Sequence, residues 1–138
     1  MGVKNKRVVV TGAASGIGKA LCEAFHQAEV QSVIAVDMNL EGAQETADSV
    51  DGVAVQANVG NEQDIINVIQ KADEHVGGTD IFCSNAGIVG VPGFFEVAAS
   101  DWQNIWDVNV QSHIFAAKHV LPQMIERGEG YLVNTSSA

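Results

Sequence analysis

The segment VVVTGAASGIG, residues 8–18, decides how this chain folds. It starts as a β-branched run typical of a buried strand, breaks into glycines, and continues with the period of a helix. Glycines at such a turn let the backbone bend sharply and approach a pyrophosphate, whose charge is stabilised by free N–H groups and the helix dipole. The segment therefore predicts a dinucleotide-binding loop with contacts from Gly12, Ser15, Gly16, Ile17 and Gly18.

An acidic residue, Asp37, ends the next predicted strand, about twenty residues beyond the glycines, as such a site requires. A carboxylate there can accept hydrogen bonds from both ribose hydroxyls of NAD, but it repels the 2′-phosphate of NADP. Asp37 could also be an ordinary loop or helix-start residue. The pattern favours NAD as the cofactor.

Short β-branched runs alternate with longer stretches of helical period along the whole chain, which indicates βαβ units on a parallel sheet. Apolar runs without strict alternation indicate strands that are covered on both faces. We expect one α/β domain over residues 1–138, a Rossmann-like doubly wound parallel sheet with strand order 3-2-1-4-5. The strands are predicted over residues 7–11, 31–37, 52–57, 80–84 and 131–135.

Four helical stretches between the strands carry further predictions. A first amphipathic helix has Ile17, Leu21 and Phe25 on its apolar side, and Asn39 and Asn61 are expected to cap the next two helices. The longest helix is predicted from Ser100 to about Arg127, with Pro122 perturbing it. This last helix is apolar nearly all round, so we expect another surface to cover part of it.

Composition excludes several classes of function. Seventeen acidic residues against seven basic ones give a net charge of −10, which disfavours nucleic acids and anionic membranes as partners. No signal-peptide core and no membrane-spanning run is present, so a cytoplasmic location is expected. Cys22 and Cys83 lie in apolar segments and are expected to be buried and reduced, and the four histidines form no metal-ligand pattern.

Four motifs, in this order, resemble those of the classical short-chain dehydrogenases/reductases. They are the Thr-Gly-x-x-x-Gly-x-Gly spacing of residues 11–18, the Asn85-Ala86-Gly87 triplet, Asn109 within residues 106–110, and the Asn-Thr-Ser-Ser that ends the last strand. The resemblance covers the whole chain. It implies hydride transfer between NAD and a small-molecule alcohol or carbonyl substrate, in a homodimer or homotetramer that buries the apolar helix.

The resemblance also implies a role for individual residues. Asn85, Ala86 and Gly87 would border the cofactor, and Asn58 with Val59 would contact its adenine, although Asn58 stands where the family usually has an aspartate. Asn109 would hold a water that links the catalytic lysine to solvent. Ser137, more than Ser136, would hydrogen-bond the reacting oxygen of the substrate.

One departure concerns the family's acid/base tyrosine, which is followed by a lysine four residues later. Tyr131, the single tyrosine, has Thr135 at that offset, so Tyr131 is interpreted as a strand residue. The pair is then expected beyond Ala138, in an enzyme of about 250 residues of which this chain is the N-terminal half. Two alternatives remain open: a non-catalytic dinucleotide-binding or regulatory module, and a Rossmann methyltransferase that binds adenosylmethionine, against which Asn85-Ala86-Gly87, Asn109 and Ser137 argue.

Overall fold

The computed structural model describes residues 2–90 and 96–136. The strands are β1 (Arg7–Thr11), β2 (Ser32–Asp37), β3 (Val53–Gln56), β4 (Ile81–Ser84) and β5 (Tyr131–Asn134). The helices are α1 (Gly16–Gln27), α2 (Leu40–Ser49), α3 (Glu62–Val76), α4 (Ala99–Trp106) and α5 (Ser112–Arg127). The strands form a parallel sheet in the order β3-β2-β1-β4-β5, which confirms the predicted Rossmann-like α/β fold.

Both faces of the sheet are covered over β1, β2 and β4, as the apolar strands predicted, whereas β5 is largely exposed. Successive residues of a strand point to opposite faces, so Val9 packs in one core layer and Val8 and Val10 in the other. The Val9 layer includes residues of α3 and α5, and the opposite layer includes residues of α1 and α2. Because the helices occupy the faces, the carboxyl edge of the sheet stays open for a ligand.

The predicted N-caps of α2 and α3 are confirmed. Asn39 Oδ1 accepts a hydrogen bond from the Gly42 N–H at 3.1 Å, and Asn61 Oδ1 accepts one from the Asp64 N–H at 3.2 Å. Each amide satisfies an N–H group that has no partner inside its helix. These caps set the starting points of the helices that follow β2 and β3.

The predicted helix from Ser100 to about Arg127 is present, but its middle turn is not regular α-helix. The chain forms α4, then a π-helical turn over Asp107–Gln111, then α5. The irregularity is not at Pro122, which lies within α5. At the junction the Ser112 hydroxyl donates to the Val108 carbonyl at 2.6 Å, which satisfies a carbonyl group where the helical pattern changes.

Both cysteines are buried, as predicted. Burial raises the pKa of the Cys22 and Cys83 thiols to about 12, because the interior disfavours the charged thiolate. They therefore act as small apolar core residues.

Within residues 2–90 and 96–136, no helix combines the length and apolarity needed to cross a membrane.

An ion pair between Arg7 and Asp80 joins β1 and β4 at the amino end of the sheet, opposite the carboxyl edge. Asp80 accepts hydrogen bonds from the Arg7 backbone N–H at 2.9 Å and from the Arg7 guanidinium at 2.8 and 2.6 Å. Arg7 also donates to the Gly77 carbonyl at the end of α3, and Arg127 of α5 lies 3.5 Å from Asp80. The cluster joins β1 and β4 to the helices on one face.

Replacing Asp80 with asparagine is expected to destabilise the fold by about 2 kcal/mol, because it leaves a largely buried guanidinium without its counter-charge. The hydrogen bonds from Arg7 hold the pKa of Asp80 below its ordinary value. Stability from this carboxylate is therefore present above the unfolded-state pKa and is lost as pH falls through the lower, folded-state pKa.

Urea unfolding of Asp80→Asn at neutral pH measures the loss of stability, and unfolding at acidic pH measures how much of the pH dependence of stability comes from Asp80. Glu29→Gln is the control, since the Lys4–Glu29 pair is exposed and should contribute less than about 0.5 kcal/mol. Equal stability losses in the two variants at neutral pH would contradict the role given to Asp80.

Candidate functional site

A cleft of about 470 Å³ opens at the carboxyl edge of the sheet. Every residue that the sequence predicted to contact the cofactor lines it, together with others that the sequence did not identify. The lining residues are Gly12, Ser15, Gly16, Ile17, Gly18, Asp37, Met38, Ala57, Asn58, Val59, Asn85, Ala86, Gly87, Ile88, Val108 and Thr135. Segments at the carboxyl ends of β1, β2, β3, β4 and β5 therefore all contribute residues to the cleft.

Two glycines shape the floor of the cleft after β1. Gly12 adopts a left-handed φ of +71°, and a Cβ on it would lie 2.9 Å from the Cα of Ala86. A Cβ on Gly18 would collide with the Gly12 carbonyl, so α1 can approach β1 this closely only because Gly18 has no side chain. These contacts bring the start of α1 against the segment after β4.

The start of α1 is suited to bind an anion. Ser15 is the N-cap residue in an extended conformation, but its hydroxyl makes no capping hydrogen bond, and the first turn holds no acidic residue. Gly16 has a φ of +53° and faces open space, since a Cβ on it would meet no atom within 4 Å. The N–H groups of this turn therefore face a space that a phosphate can occupy.

The Asp37 carboxylate is held in place at the end of β2. Its Oδ2 accepts from the Ala14 N–H and its Oδ1 from the Asn39 N–H, each at 3.0 Å. Each oxygen keeps a further lone pair, so the carboxylate can still accept from the two hydroxyls of a ribose. The hydrogen bond from Ala14 fixes the position of the Asp37 carboxylate relative to the glycine loop. The glycine loop and the strand-end carboxylate, the two parts of the predicted motif, are therefore in direct contact.

A hydrogen-bond network joins the ends of β1, β4 and β5. The Asn85 amide donates to the Thr11 carbonyl at 3.1 Å and accepts from the Thr135 hydroxyl at 3.0 Å. The Thr11 hydroxyl accepts from the backbone N–H groups of Asn85 and Ala86 at 2.9 and 3.1 Å. No role was predicted for Thr135, whose only signal was its place at the end of the last predicted strand, within the Asn-Thr-Ser-Ser motif.

Asn109 lies in the π-helical turn and makes a paired contact with one backbone unit. Its Oδ1 accepts from the Ile88 N–H and its Nδ2 donates to the Ile88 carbonyl, both at 2.8 Å. The side chain satisfies a backbone unit and so positions Ile88, which lines the cleft. Ser137, the predicted substrate contact, lies outside the described residues.

Ile17 does not occupy the position that its helical spacing predicted. Leu21 and Phe25 pack against the core, but Ile17 is 65% exposed and lines the cleft. The first turn of α1, residues Gly16 to Gly18, lines the cleft, so Ile17 contacts the ligand side and not the core. The described residues hold no group of three His, Cys, Asp or Glu side chains able to bind a metal ion.

The site has the features of a Rossmann-type nucleotide site: an open carboxyl edge, a glycine turn, a helix start without a side-chain cap, and a carboxylate at the end of a strand. The sequence model of the family described as short chain dehydrogenase matches residues 6–138. The chain therefore belongs to the short-chain dehydrogenase family, as its motifs indicated.

Several known proteins are similar to this chain. Glucose 1-dehydrogenase 2 of Bacillus subtilis (strain 168) is 34% identical over 139 residues, covering 96% of this chain and 54% of the relative. An uncharacterized oxidoreductase of Thermotoga maritima is 29% identical, with 98% and 54% covered. The chain thus spans about half the length of the curated relatives it matches.

A solved structure shares the fold over nearly the whole chain. It is described as the ribose-5-phosphate isomerase from Brucella melitensis 16M, with a TM-score of 0.90 and 25% identity. The match covers 99% of this chain and 53% of that one. Because one fold can host many activities, this likeness bears on the fold rather than on the reaction.

Proposed function

We propose that the cleft binds NAD(H) and that the protein is an oxidoreductase that transfers hydride between this cofactor and an alcohol or carbonyl compound. One observation carries the proposal: the residues predicted to contact the cofactor, although spread from Gly12 to Gly87, all line the same cleft. It lies where the strand order reverses between β1 and β4, the usual place for a dinucleotide in such sheets.

The positions of the lining residues indicate the orientation of the cofactor in the cleft. The free start of α1 would hold the pyrophosphate at the centre of the cleft. Asp37 would then hold the adenosine ribose on the β2–β3 side, which leaves the nicotinamide on the β4–β5 side near Gly87, Ile88 and Thr135.

Charge supports NAD over NADP. None of the described residues that line the cleft is basic, and Asp37 stands where the 2′-phosphate of NADP would lie. The net charge of −10 adds to that repulsion.

The reaction would use the nicotinamide side of the cleft. NAD, when bound, supplies a carbon that accepts a hydride from the alcohol, whose hydroxyl proton passes to a basic group. We propose that Ser137 hydrogen-bonds the reacting oxygen and that Asn109 keeps Ile88 and its loop in place beside it. The dehydrogenase name of the Bacillus subtilis relative supports an alcohol as substrate.

Because this chain spans about half the length of its relatives, the test supplies the full-length protein with NAD and a panel of polyols and secondary alcohols and follows the absorbance of the reduced nicotinamide. Ser137→Ala should lower kcat by roughly a hundredfold with NAD binding retained, and Ser136→Ala is the matched control with near-normal turnover. Cofactor binding without reduction by any alcohol would support a non-catalytic module instead, and equal turnover in the two variants would exclude the role of Ser137.

We also propose that the protein is a homodimer or homotetramer that buries the outer surface of α4 and α5. Large apolar side chains at helical spacing are 37–73% exposed there: Trp102, Trp106, Ile114, Leu121 and Ile125. Such a strip on a helix pair is typical of a self-complementary interface. Sedimentation should show a dimer or tetramer that Trp106→Glu dissociates, whereas a wild-type monomer would contradict this proposal.

A further inference from the structure

We propose that Thr46, on α2, is a positioning residue of the NAD site, which sustains the preference for NAD over NADP by fixing the peptide unit between Ala13 and Ala14. This unit belongs to the glycine loop between β1 and α1. The inference rests on the proposed binding of NAD. It goes beyond that proposal because it assigns part of the cofactor preference to a hydroxyl group that is not among the described groups lining the cleft.

The Thr46 hydroxyl is buried where α2 packs against the glycine loop. Thr46 has no exposed surface, and its Oγ1 donates a hydrogen bond to the Ala13 carbonyl at 2.8 Å. A hydroxyl inside a helix can instead donate to a carbonyl of its own preceding turn. Ser49 of the same helix does so, since its hydroxyl donates to the Thr46 carbonyl at 2.7 Å. The Thr46 hydroxyl therefore joins α2 to the loop.

The Ala13 carbonyl and the Ala14 N–H belong to one planar peptide unit, in which they point in opposite directions. The carbonyl accepts from Thr46, and the N–H donates to Asp37 Oδ2 at 3.0 Å. Rotation of the unit would turn its carbonyl oxygen toward the Asp37 carboxylate, and two acceptors make no hydrogen bond with each other. The hydrogen bond from Thr46 opposes that rotation and so keeps the Ala14 N–H on the carboxylate.

A second contact from α2 supports the same part of the loop. Gly42 packs so closely against Ala14 that a Cβ on Gly42 would lie 2.8 Å from the Ala14 Cβ. Gly42 and Thr46 are four residues apart and so lie on one face of the helix. From the other side, the Val36 carbonyl of β2 accepts from the Ala13 N–H at 3.0 Å. The loop is therefore held between α2 and β2.

This support determines how firmly the Asp37 carboxylate is held where the ribose of NAD would lie. A fixed carboxylate accepts from the ribose hydroxyls and repels the 2′-phosphate of NADP. Loss of the hydrogen bond from Ala14 would allow the carboxylate to turn away, which removes the ribose contacts and relieves the repulsion. Affinity for NAD then falls, whereas affinity for NADP does not fall with it.

Thr46→Val removes the hydroxyl and keeps nearly the same side-chain shape. The dissociation constants of NADH and NADPH are measured for the full-length protein by fluorescence titration, and the NADPH constant is divided by the NADH constant. We expect Thr46→Val to lower this ratio by at least about fivefold, or ~1 kcal/mol. Thr46→Ser keeps the donor, so its ratio should stay within about twofold of the wild type.

Ala47→Gly is the control for a general loss of stability. Ala47 is the next buried residue of α2, and glycine weakens a helix while the Thr46 hydroxyl remains in place. The ratio for this variant should equal that of the wild type. Gly42→Ala is a second test of the support, because its methyl group would displace Ala14 although alanine favours the helix. This variant should lower the ratio.

An unchanged ratio in Thr46→Val would overturn the inference, and if that protein does not fold, an unchanged ratio in Gly42→Ala would do the same. Equal losses in Thr46→Val and Thr46→Ser, or in Thr46→Val and Ala47→Gly, would also overturn it, because packing or stability and not the hydroxyl would then be the cause. Absence of binding of either dinucleotide to the wild type would overturn the proposed function and the inference with it.

Discussion

Replacing Gly18 with alanine is expected to abolish NAD binding and to lower the free energy of unfolding by about 2–3 kcal/mol. The new methyl group would collide with the Gly12 carbonyl and lie 2.9 Å from the Asn85 amide nitrogen. Both neighbours belong to the framework that joins β1 to β4, so α1 would have to move away from the sheet. That movement displaces the helix start on which the pyrophosphate would rest.

Gly16→Ala is the control that separates folding from binding. A methyl group on Gly16 meets nothing within 4 Å, so only its left-handed φ of +53° costs stability, about 1 kcal/mol. It would nevertheless occupy the space where the phosphate lies and should weaken NAD binding. Urea unfolding and NAD titration of both variants provide the comparison, and a Gly18→Ala protein with wild-type stability and affinity would contradict the close packing described for α1.

Replacing Asp37 with serine is expected to shift the preference from NAD toward NADP by at least about tenfold, or ~1.4 kcal/mol. The change removes the negative charge that would face the 2′-phosphate, and it also removes an acceptor for a ribose hydroxyl. The hydroxyl of serine is shorter than the carboxylate, so the hydrogen bonds to the Ala14 and Asn39 N–H groups should weaken as well. Affinity for NAD should therefore fall while affinity for NADP rises or stays constant.

Asp51→Asn is the control for net charge, because Asp51 lies before β3, at the opposite end of the strand from the cleft. Dissociation constants for both dinucleotides, measured by calorimetry at one ionic strength, provide the ratio for each protein. A ratio that changes equally in the two variants would show that overall charge, and not the Asp37 side chain, discriminates between the cofactors.

The fold and most of the site could be predicted because their signals are local. A strand that breaks into glycines and restarts as a helix is contained within residues 8–18. The remaining lining residues, apart from Val108, end or follow strands, and the carboxyl ends of parallel strands meet at one edge. Asp37, Asn58 and Asn85 were therefore brought together by the sheet order alone, which the structure shares with the prediction.

Features that depend on contacts across the fold could not be predicted. The π-helical turn over Asp107–Gln111 could not be predicted because the sequence pattern of its five residues is the same as that of an α-helix. The Thr135 contact with Asn85 joins segments separated by fifty residues in the chain. The exposure of Ile17 depends on the position of the first turn of α1 at the cleft, and not on the spacing of apolar residues.

The most direct test of the central claim is a titration of the protein with NADH and, separately, with NADPH, following the fluorescence of the reduced nicotinamide. We expect saturable binding of one NADH per chain and binding of NADPH at least about tenfold weaker. Absence of saturable NADH binding, or tighter binding of NADPH, would contradict the assignment of the cleft as an NAD site.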